Sequence, residues 1–163
     1  MKPKIIAISG TPGTGKSTLT KYLVKKLKYD HFDLHNHYKD VSKRYDRSGK
    51  CYDIDIKKFE ILVKKKIKET KDGLIIDTHI SHKLNSKLID LCIVLTCSDL
   101  KKLEKRLKKR KYSKKKIREN LDSEIFQVCL IEAQENKHKV ITFDTSRRLN
   151  EKEIIKEIKT LSS

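Results

Sequence analysis

Glycine and proline are scarce in this 163-residue chain, five and two respectively, and no repeat or low-complexity linker breaks it up, so nothing marks an internal domain boundary. No apolar run approaches the ~20 residues that a membrane-spanning helix needs. The start, MKPKIIAISG, is basic, but its apolar stretch is shorter than a signal-peptide core and flows straight into a glycine loop. Four scattered cysteines (Cys51, Cys92, Cys97, Cys129) form no C-x-x-C pair, which argues against a cysteine zinc site and for a reducing compartment. Cys92 lies in an apolar run and reads as a small core residue. The alternating histidines His31, His35 and His37 raise the idea of a metal site, but no cysteine or carboxylate pattern completes it. The expectation is one soluble, cytoplasmic domain with no membrane partner and no structural metal.

Acidic residues are also in deficit: 22 against 40 lysines and arginines, a net charge of +18. The excess is concentrated between Lys101 and Arg118, where KKLEKRLKKRKYSKKKIR holds twelve basic residues and one acid, Glu104. For the lysines, a solvated helix face and a polyanion site, whether nucleotide phosphates or RNA, are equally good readings.

Strand-like and helix-like segments alternate. Ile5 to Ser9 is a short β-branched run, hence a buried strand, and Lys16 to Lys28 follows as a helix with Leu19, Leu23 and Leu27 on one face. His31 to Leu34 is a weak second strand, and Asn36 to Lys50 a polar stretch. A helix over about 56–70 carries Phe59, Leu62, Val63 and Ile67 at helical spacing. Leu74–Asp77, Leu91–Leu95 and Val140–Phe143 are three more strands. Ser98 is the expected cap of a helix with Leu100, Leu103 and Leu107. Ser113 is the expected cap of one long helix with Ile117, Leu121, Ile125 and Val128, and Asn150 that of a last one. This alternation predicts a doubly wound α/β fold around a five-stranded parallel sheet, whose ligands bind at the carboxyl ends of the strands.

Gly10 and Asp77 both fall at such ends. GTPGTGKS, Gly10 to Ser17, matches G-x-x-x-x-G-K-[ST] and runs from a strand into a helix, the placement a phosphate-cradling loop requires. Gly13 and Gly15 let backbone N–H groups approach phosphate, the helix N-terminus adds positive potential, Lys16 can reach the β- and γ-phosphates, and Ser17 can ligate Mg²⁺. Asp77, ending the apolar strand LIID, can hold Mg²⁺ through water, or else cap the following turn. His79 lies on the same face if the strand continues, where it could orient a water or an acceptor, or be a plain loop histidine. Arg106 and Arg110, four residues apart, share a helix face next to a break at Ser113. That arrangement predicts a basic flap over the γ-phosphoryl. No N-K-x-D guanine-reading motif occurs, and Asp144 to Arg148, after the last strand, is the place to look for adenine contacts.

Three stretches, GTPGTGKST, IIDTH and RLKKRKYSKKKIRENLDSEIFQV, taken in order over nearly the whole chain, resemble the adenylate kinase isoenzyme 6 family, also called coilin-interacting nuclear ATPase. Its most diagnostic parts are Asp77/His79 and the set Arg110, Tyr112, Lys116, Asn120 and Glu124 to Val128. The resemblance implies a P-loop nucleoside monophosphate kinase with a monophosphate-binding insert, here residues 33–56, and a short lid, residues 109–120. It implies ATP·Mg, transfer to AMP or another nucleoside monophosphate, a slower ATPase, and a role in small ribosomal subunit maturation with a small-subunit ribosomal protein as partner; the basic lid helix could in addition meet rRNA. By position, Gly10, Thr11, Gly13, Thr14, Gly15, Lys16, Ser17, Thr18 and Arg110 would bind ATP, and Asp77 with His79 would form the Walker B-like pair. The chain departs from the family at Lys39, where an arginine is expected for the acceptor phosphate, at Thr96 and at Lys111. A lysine lacks the bidentate fork of arginine. An ATP-switched assembly factor with incidental kinase activity and a small-metabolite kinase are the other readings.

Overall fold

The computed structural model describes residues 4–46 and 51–161 and, for 44–46, 51 and 52, the backbone. Its elements run β1 (Ile5–Gly10), α1 (Lys16–Leu27), β2 (Asp30–Asp33), a 3₁₀ turn (Leu34–His37), α2 (Tyr38–Val41), β3 (Ser42–Asp46), β4 (Cys51–Ile54), α3 (Ile56–Glu69), β5 (Leu74–Asp77), two 3₁₀ turns (Ser81–Lys83 and Ser86–Leu88), β6 (Leu91–Thr96), α4 (Leu100–Lys109), α5 (Lys114–Ile125), α6 (Val128–Glu135), β7 (Val140–Asp144) and α7 (Glu151–Thr160).

Five strands form one sheet in the order β2-β5-β1-β6-β7, every pairing parallel. The chain leaves β1 toward one edge and later returns past it, from β5 to β6, toward the other. The carboxyl end of β1 is therefore flanked on both sides, which is where ligands of open α/β sheets sit. Helices cover both faces, so the central strands are near-continuous apolar runs, IIAI in β1, LII in β5 and LCIVL in β6, with polar residues only toward their carboxyl ends. The period of two sorts them. Ala7, Leu74, Ile76, Cys92 and Val94 join Phe59 and Val63 of α3 and Ala133 of α6 in one core. Ile6, Ile8, Ile75, Ile93 and Leu95 join Leu19 and Leu23 of α1 and Ile154 and Ile158 of α7 in the other.

The polar stretch after β2 is not plain loop. It carries the 3₁₀ turn, α2 and an antiparallel hairpin of β3 and β4, whose base is closed by the bond from Asp55 N–H to Val41 O of α2 (2.8 Å). Residues 47–50 of the 33–56 segment lie outside the described residues.

Two expectations about helices need correcting. Asp99, not Ser98, caps α4: its carboxylate accepts from Lys102 N–H (3.1 Å), while the Ser98 hydroxyl donates to Asp144 on β7. A carboxylate at an N-cap also complements the helix dipole, so of two adjacent candidates the acid wins. The long helix expected from Ser113 through Val128 is two. Ser113 caps α5 as expected, but the chain turns at Gln127, whose φ is +51°, before α6 begins. Side-chain bonds stabilise that left-handed residue: Gln127 Nε2 donates to Glu124 O (2.8 Å) and to Glu124 Oε1 (3.4 Å).

The connection between α4 and α5 has a small core of its own. Leu103, Leu107, Ile117 and Cys97 are buried together, with Tyr112 and Leu121 packed against them. Leu103 is fully buried, so Leu103→Ala is expected to cost about 2–5 kcal/mol of unfolding free energy. Ile61→Ala, at a residue 67% exposed on α3, is expected to stay within about 0.5 kcal/mol. Urea unfolding of the two variants beside the parent checks both.

Candidate active site

β1 ends at Gly10, and the chain crosses its own sheet neighbour so closely there that a Cβ would stand 2.6 Å from Leu95 O, with φ at +148°. Only glycine fits. At the other end of the loop Gly15 takes φ +93° as the N-cap of α1 and meets nothing within 4 Å of an added Cβ. Its backbone thus borders open space at a helix N-terminus, the geometry that receives an anion.

Between them, the loop's threonine side chains are turned inward. Thr14 Oγ1 donates to Thr11 O (2.7 Å), and Thr11 Oγ1 donates to Glu124 Oε2 (2.7 Å), a carboxylate 113 residues away and only 4% exposed. Both hydroxyl protons are thus engaged within the protein. Ser17 and Thr18, on the first turn of α1, are exposed.

Lys16 arches over this loop, its ammonium donating to Gly10 O (2.8 Å) and Thr11 O (3.2 Å). Loss of hydration pulls its pKa down to about 8, against the opposing pull of Asp77, with Cys129 helping Asp77 and Arg110 working the other way. Burial raises the pKa of Asp77 in turn, opposed by Lys16 and His31. His31 Nε2 lies 4.0 Å from Asp77 Oδ2, and Asp33 sits directly beside Asp77 in the strand register.

β5 stops at Asp77, so His79 does not continue a strand face. Instead Thr78 and Ser81 close a turn, with Thr78 N–H donating to Ser81 Oγ (2.9 Å) and Ile80 N–H to Thr78 Oγ1 (3.1 Å). His79 lies in that turn, close enough to Lys16 to feel its charge. Crowding around the ring, then Lys16 and His82, hold its pKa below the ordinary imidazole value, so it is neutral at pH 7 although water reaches it.

The two arginines differ in kind. The Arg106 guanidinium is occupied: Nη1 donates to Gly13 O (3.3 Å) and Thr145 Oγ1 (3.2 Å), and Nη2 to Thr145 O (2.7 Å). It ties the phosphate loop to the segment after β7. Arg110, the C-cap of α4, is exposed. Both line a cleft of about 560 Å³ beside Gly13 and Gly15, together with Arg147 and Arg148. Thr145, Arg147 and Arg148 of the segment suspected of adenine contact thus do border the loop. Lys39 is exposed on α2, at the β2 side of the sheet.

Two groups escaped notice in the sequence. Glu124 accepts from Thr11 and also from Cys97 N–H (2.8 Å), bolting α5 to the loop and to the end of β6. Behind β1, Ser9 Oγ lies 2.6 Å from His82 Nδ1, and His82 Nε2 lies 2.5 Å from Glu132 Oε2. Burial keeps the His82 pKa below the usual value despite Glu132, so the ring is neutral. It then carries its proton on Nε2 toward the carboxylate and accepts from the Ser9 hydroxyl. Nothing near ISG, HISH or CLIE signals this chain, because its members are 73 and 50 residues apart.

The model of the AAA domain family matches residues 6–127. The chain is 39% identical over 149 residues to a Methanocaldococcus jannaschii protein named "Putative adenylate kinase", covering 88% of this chain and 77% of that one. It is 39% identical over 136 residues to the adenylate kinase isoenzyme 6 homolog of Schizosaccharomyces pombe, covering 82% and 75%. The chain belongs to the adenylate kinase isoenzyme 6 family. Among solved structures, the YorR protein of Bacillus subtilis in complex with phosphorylated GDP superposes with a TM-score of 0.62 at 19% identity, covering 97% of this chain and 95% of that one. Deoxyadenosine kinase from M. mycoides with bound dATP gives 0.55 at 21% identity, covering 98% and 100%. At those identities the likeness is one of fold, a P-loop kinase fold. No helix among the described residues is long and apolar enough to cross a membrane.

Ionisation of Lys16 sets a pH limit. The expected role of Lys16 at the phosphates needs its ammonium, which is lost as pH rises through about 8. The expected kcat/KM for ATP is level below that point and falls about tenfold per pH unit well above it. Lys16→Arg keeps its charge, so its weaker activity should show no alkaline limb in the same range. A second expectation concerns Glu124. Glu124→Ala frees Thr11 and strands Cys97 N–H, and kcat/KM should drop about 100-fold through displacement of the loop, with melting temperature measured alongside.

Proposed function

We propose that this chain transfers the γ-phosphoryl group of ATP to a nucleoside monophosphate, AMP first of all, giving two ADP, with a slower transfer to water. The observation that carries this reading is the Lys16 ammonium held at the mouth of a glycine loop between β1 and α1, with Asp77 beside it.

In this reading the N–H groups from Gly13 to Thr18 cradle the phosphates, and Lys16 bridges the β- and γ-oxygens. Arg110 swings in from the 109–120 lid to balance charge on the transferring group. Arg106, already bonded to Gly13 and Thr145, fixes the wall of the donor cleft and acts on the γ-phosphoryl only through the loop. Thr145, Arg147 and Arg148 border the nucleoside end. Neutral His79 orients the acceptor or an attacking water. On the acceptor side, Lys39 and the 33–56 insert hold the monophosphate.

The donor set suits Mg²⁺ arriving with the nucleotide. Among the described residues no group of three or more histidine, cysteine or acidic side chains could hold a metal by itself. The Ser17 hydroxyl and, through water, Asp77 supply one or two ligands, which is what a cation completed by phosphate oxygens and water requires. Bound there, Mg²⁺ would neutralise charge on the β- and γ-oxygens.

A second reading, an ATP-switched factor in small ribosomal subunit maturation that meets a ribosomal protein or rRNA, draws support from Glu124. The helix that carries the lid is joined through this buried carboxylate to the phosphate loop, so a lid movement would be felt at the loop and the reverse. The deciding measurement is ADP release with ATP alone, then with each monophosphate in turn, then with small ribosomal subunits. Stimulation by AMP well above the basal rate supports the kinase; a rate indifferent to AMP but altered by subunits supports the switch. In either case Lys16→Ala should abolish turnover, and a purified Lys16→Ala protein that still turns over would sink both.

A further inference from the structure

The turn between α5 and α6 leaves three large apolar side chains in water: Ile125 at 49% exposure, Phe126 at 68% and Ile131 at 46%. Scattered apolar residues need no explanation, but three within seven positions of a chain that is 38% charged do. Their display is built in. The left-handed Gln127 that turns Phe126 outward is tied by its own side chain to Glu124, and Glu124 is anchored in turn to Thr11 and Cys97. Eight residues further on, Glu132 is fixed to His82. The patch therefore stands on a rigid support and needs no ordering before it binds.

Its electrostatic setting is the opposite of the rest of the molecule. From Glu119 to Asn136 the chain has no lysine, arginine or histidine and five acids, within a protein of net charge +18. Helical spacing places Glu119 and Asp122 on the stripe of α5 that ends at Phe126, and Glu135 on the stripe of α6 that begins at Ile131. Glu119 and Glu135 are exposed, while Asp122 is shared with Arg118 (3.1 Å). An acidic rim around an apolar centre repels nucleic acid and anionic lipid, and selects the reverse chemistry.

We propose that the Ile125–Phe126–Ile131 face is a docking surface for a basic protein segment that presents an apolar side chain, with Phe126 as the central contact and Glu119 and Glu135 pairing with the segment's lysines or arginines. Phe126, Ile131 and Glu135 lie outside the phosphate loop, the 33–56 insert and the 109–120 lid, so changes at Phe126 and Glu135 are measured independently of turnover.

The probe is a fluorescein-labelled amphipathic helical peptide of arginine and leucine, followed by anisotropy against the full chain. Saturable binding is expected, weakened at least tenfold by Phe126→Ser and at least threefold by Glu135→Lys. ATP-dependent ADP release and the circular dichroism melt of both variants should match the parent, which separates loss of the surface from loss of fold and from any failure of the kinase reading. A peptide with serine for leucine, or with glutamate for arginine, should bind at least tenfold more weakly. Equal binding by Phe126→Ser, or equal binding of either control peptide, overturns the proposal. So does sedimentation showing concentration-dependent self-association that Phe126→Ser abolishes, since the face would then belong to a second copy of the chain.

Discussion

A positive charge held where water is scarce is the constraint around which this structure is arranged. Lys16 has to keep its ammonium at the mouth of a loop whose other polar groups point at the same space, and burial alone would take the proton away. Two things oppose that loss: the Gly10 and Thr11 carbonyls within hydrogen-bond reach, and the Asp77 carboxyl at the end of the neighbouring strand, with smaller pulls from Cys129 and Glu124. The resulting pKa of about 8 leaves the group charged at neutral pH but with little margin. A phosphate entering the loop would tip the balance decisively toward the ammonium. The loop is thus incomplete electrostatically until an anion joins it, which is a sound basis for binding one.

Fixing the loop is the work of groups well behind it. Glu124 takes the Thr11 hydroxyl and the Cys97 N–H, and the Ser9–His82–Glu132 chain supports the last turn of β1. A buried carboxylate is costly unless it is hydrogen-bonded, and Glu124 meets that condition through both of its oxygens. Arg106 does the corresponding work at the front, joining Gly13 to Thr145. Arg106, expected from its position to meet the phosphoryl group, is also part of this frame, and Arg110, four residues on and capping its helix, is exposed.

The division between what the sequence discloses and what it hides follows range. Strands β1, β5 and β6 and the loop after β1 are written in short contiguous runs, because a buried parallel strand must be apolar throughout and a phosphate loop must be glycine-rich at fixed spacing. Asp77 was legible for the same reason, as the polar end of LIID. By contrast, Glu124 and His82 are one acid and one imidazole among many, and their meaning lies in partners 113 and 73 residues away. The break at Gln127 was hidden differently. Ile117, Leu121, Ile125 and Val128 keep helical spacing straight through it, and no glycine or proline announces the turn; a side-chain bond back to Glu124 is what makes a left-handed glutamine acceptable there. Asp99 and Ser98 show the same limit on a smaller scale, since two good caps in a row are separated only by which of them Asp144 engages.

Charge is distributed with the same economy. The basic run from Lys101 to Arg118 ends where the acidic stretch from Glu119 begins, one residue later on the same helix. The α5 helix therefore starts among lysines and finishes among carboxylates at the turn before α6. Local attraction along such a helix is weak, of the order of a few tenths of a kcal/mol per pair, as for Arg118 with Asp122. A segregation this sharp accordingly contributes little to folding, where interspersed signs would serve better. It does separate a basic region around Arg110 from an acidic one, where Glu119 and Glu135 stand beside exposed apolar side chains. Glu124 lies between them, part of the acidic stretch by sequence and part of the phosphate loop by contact.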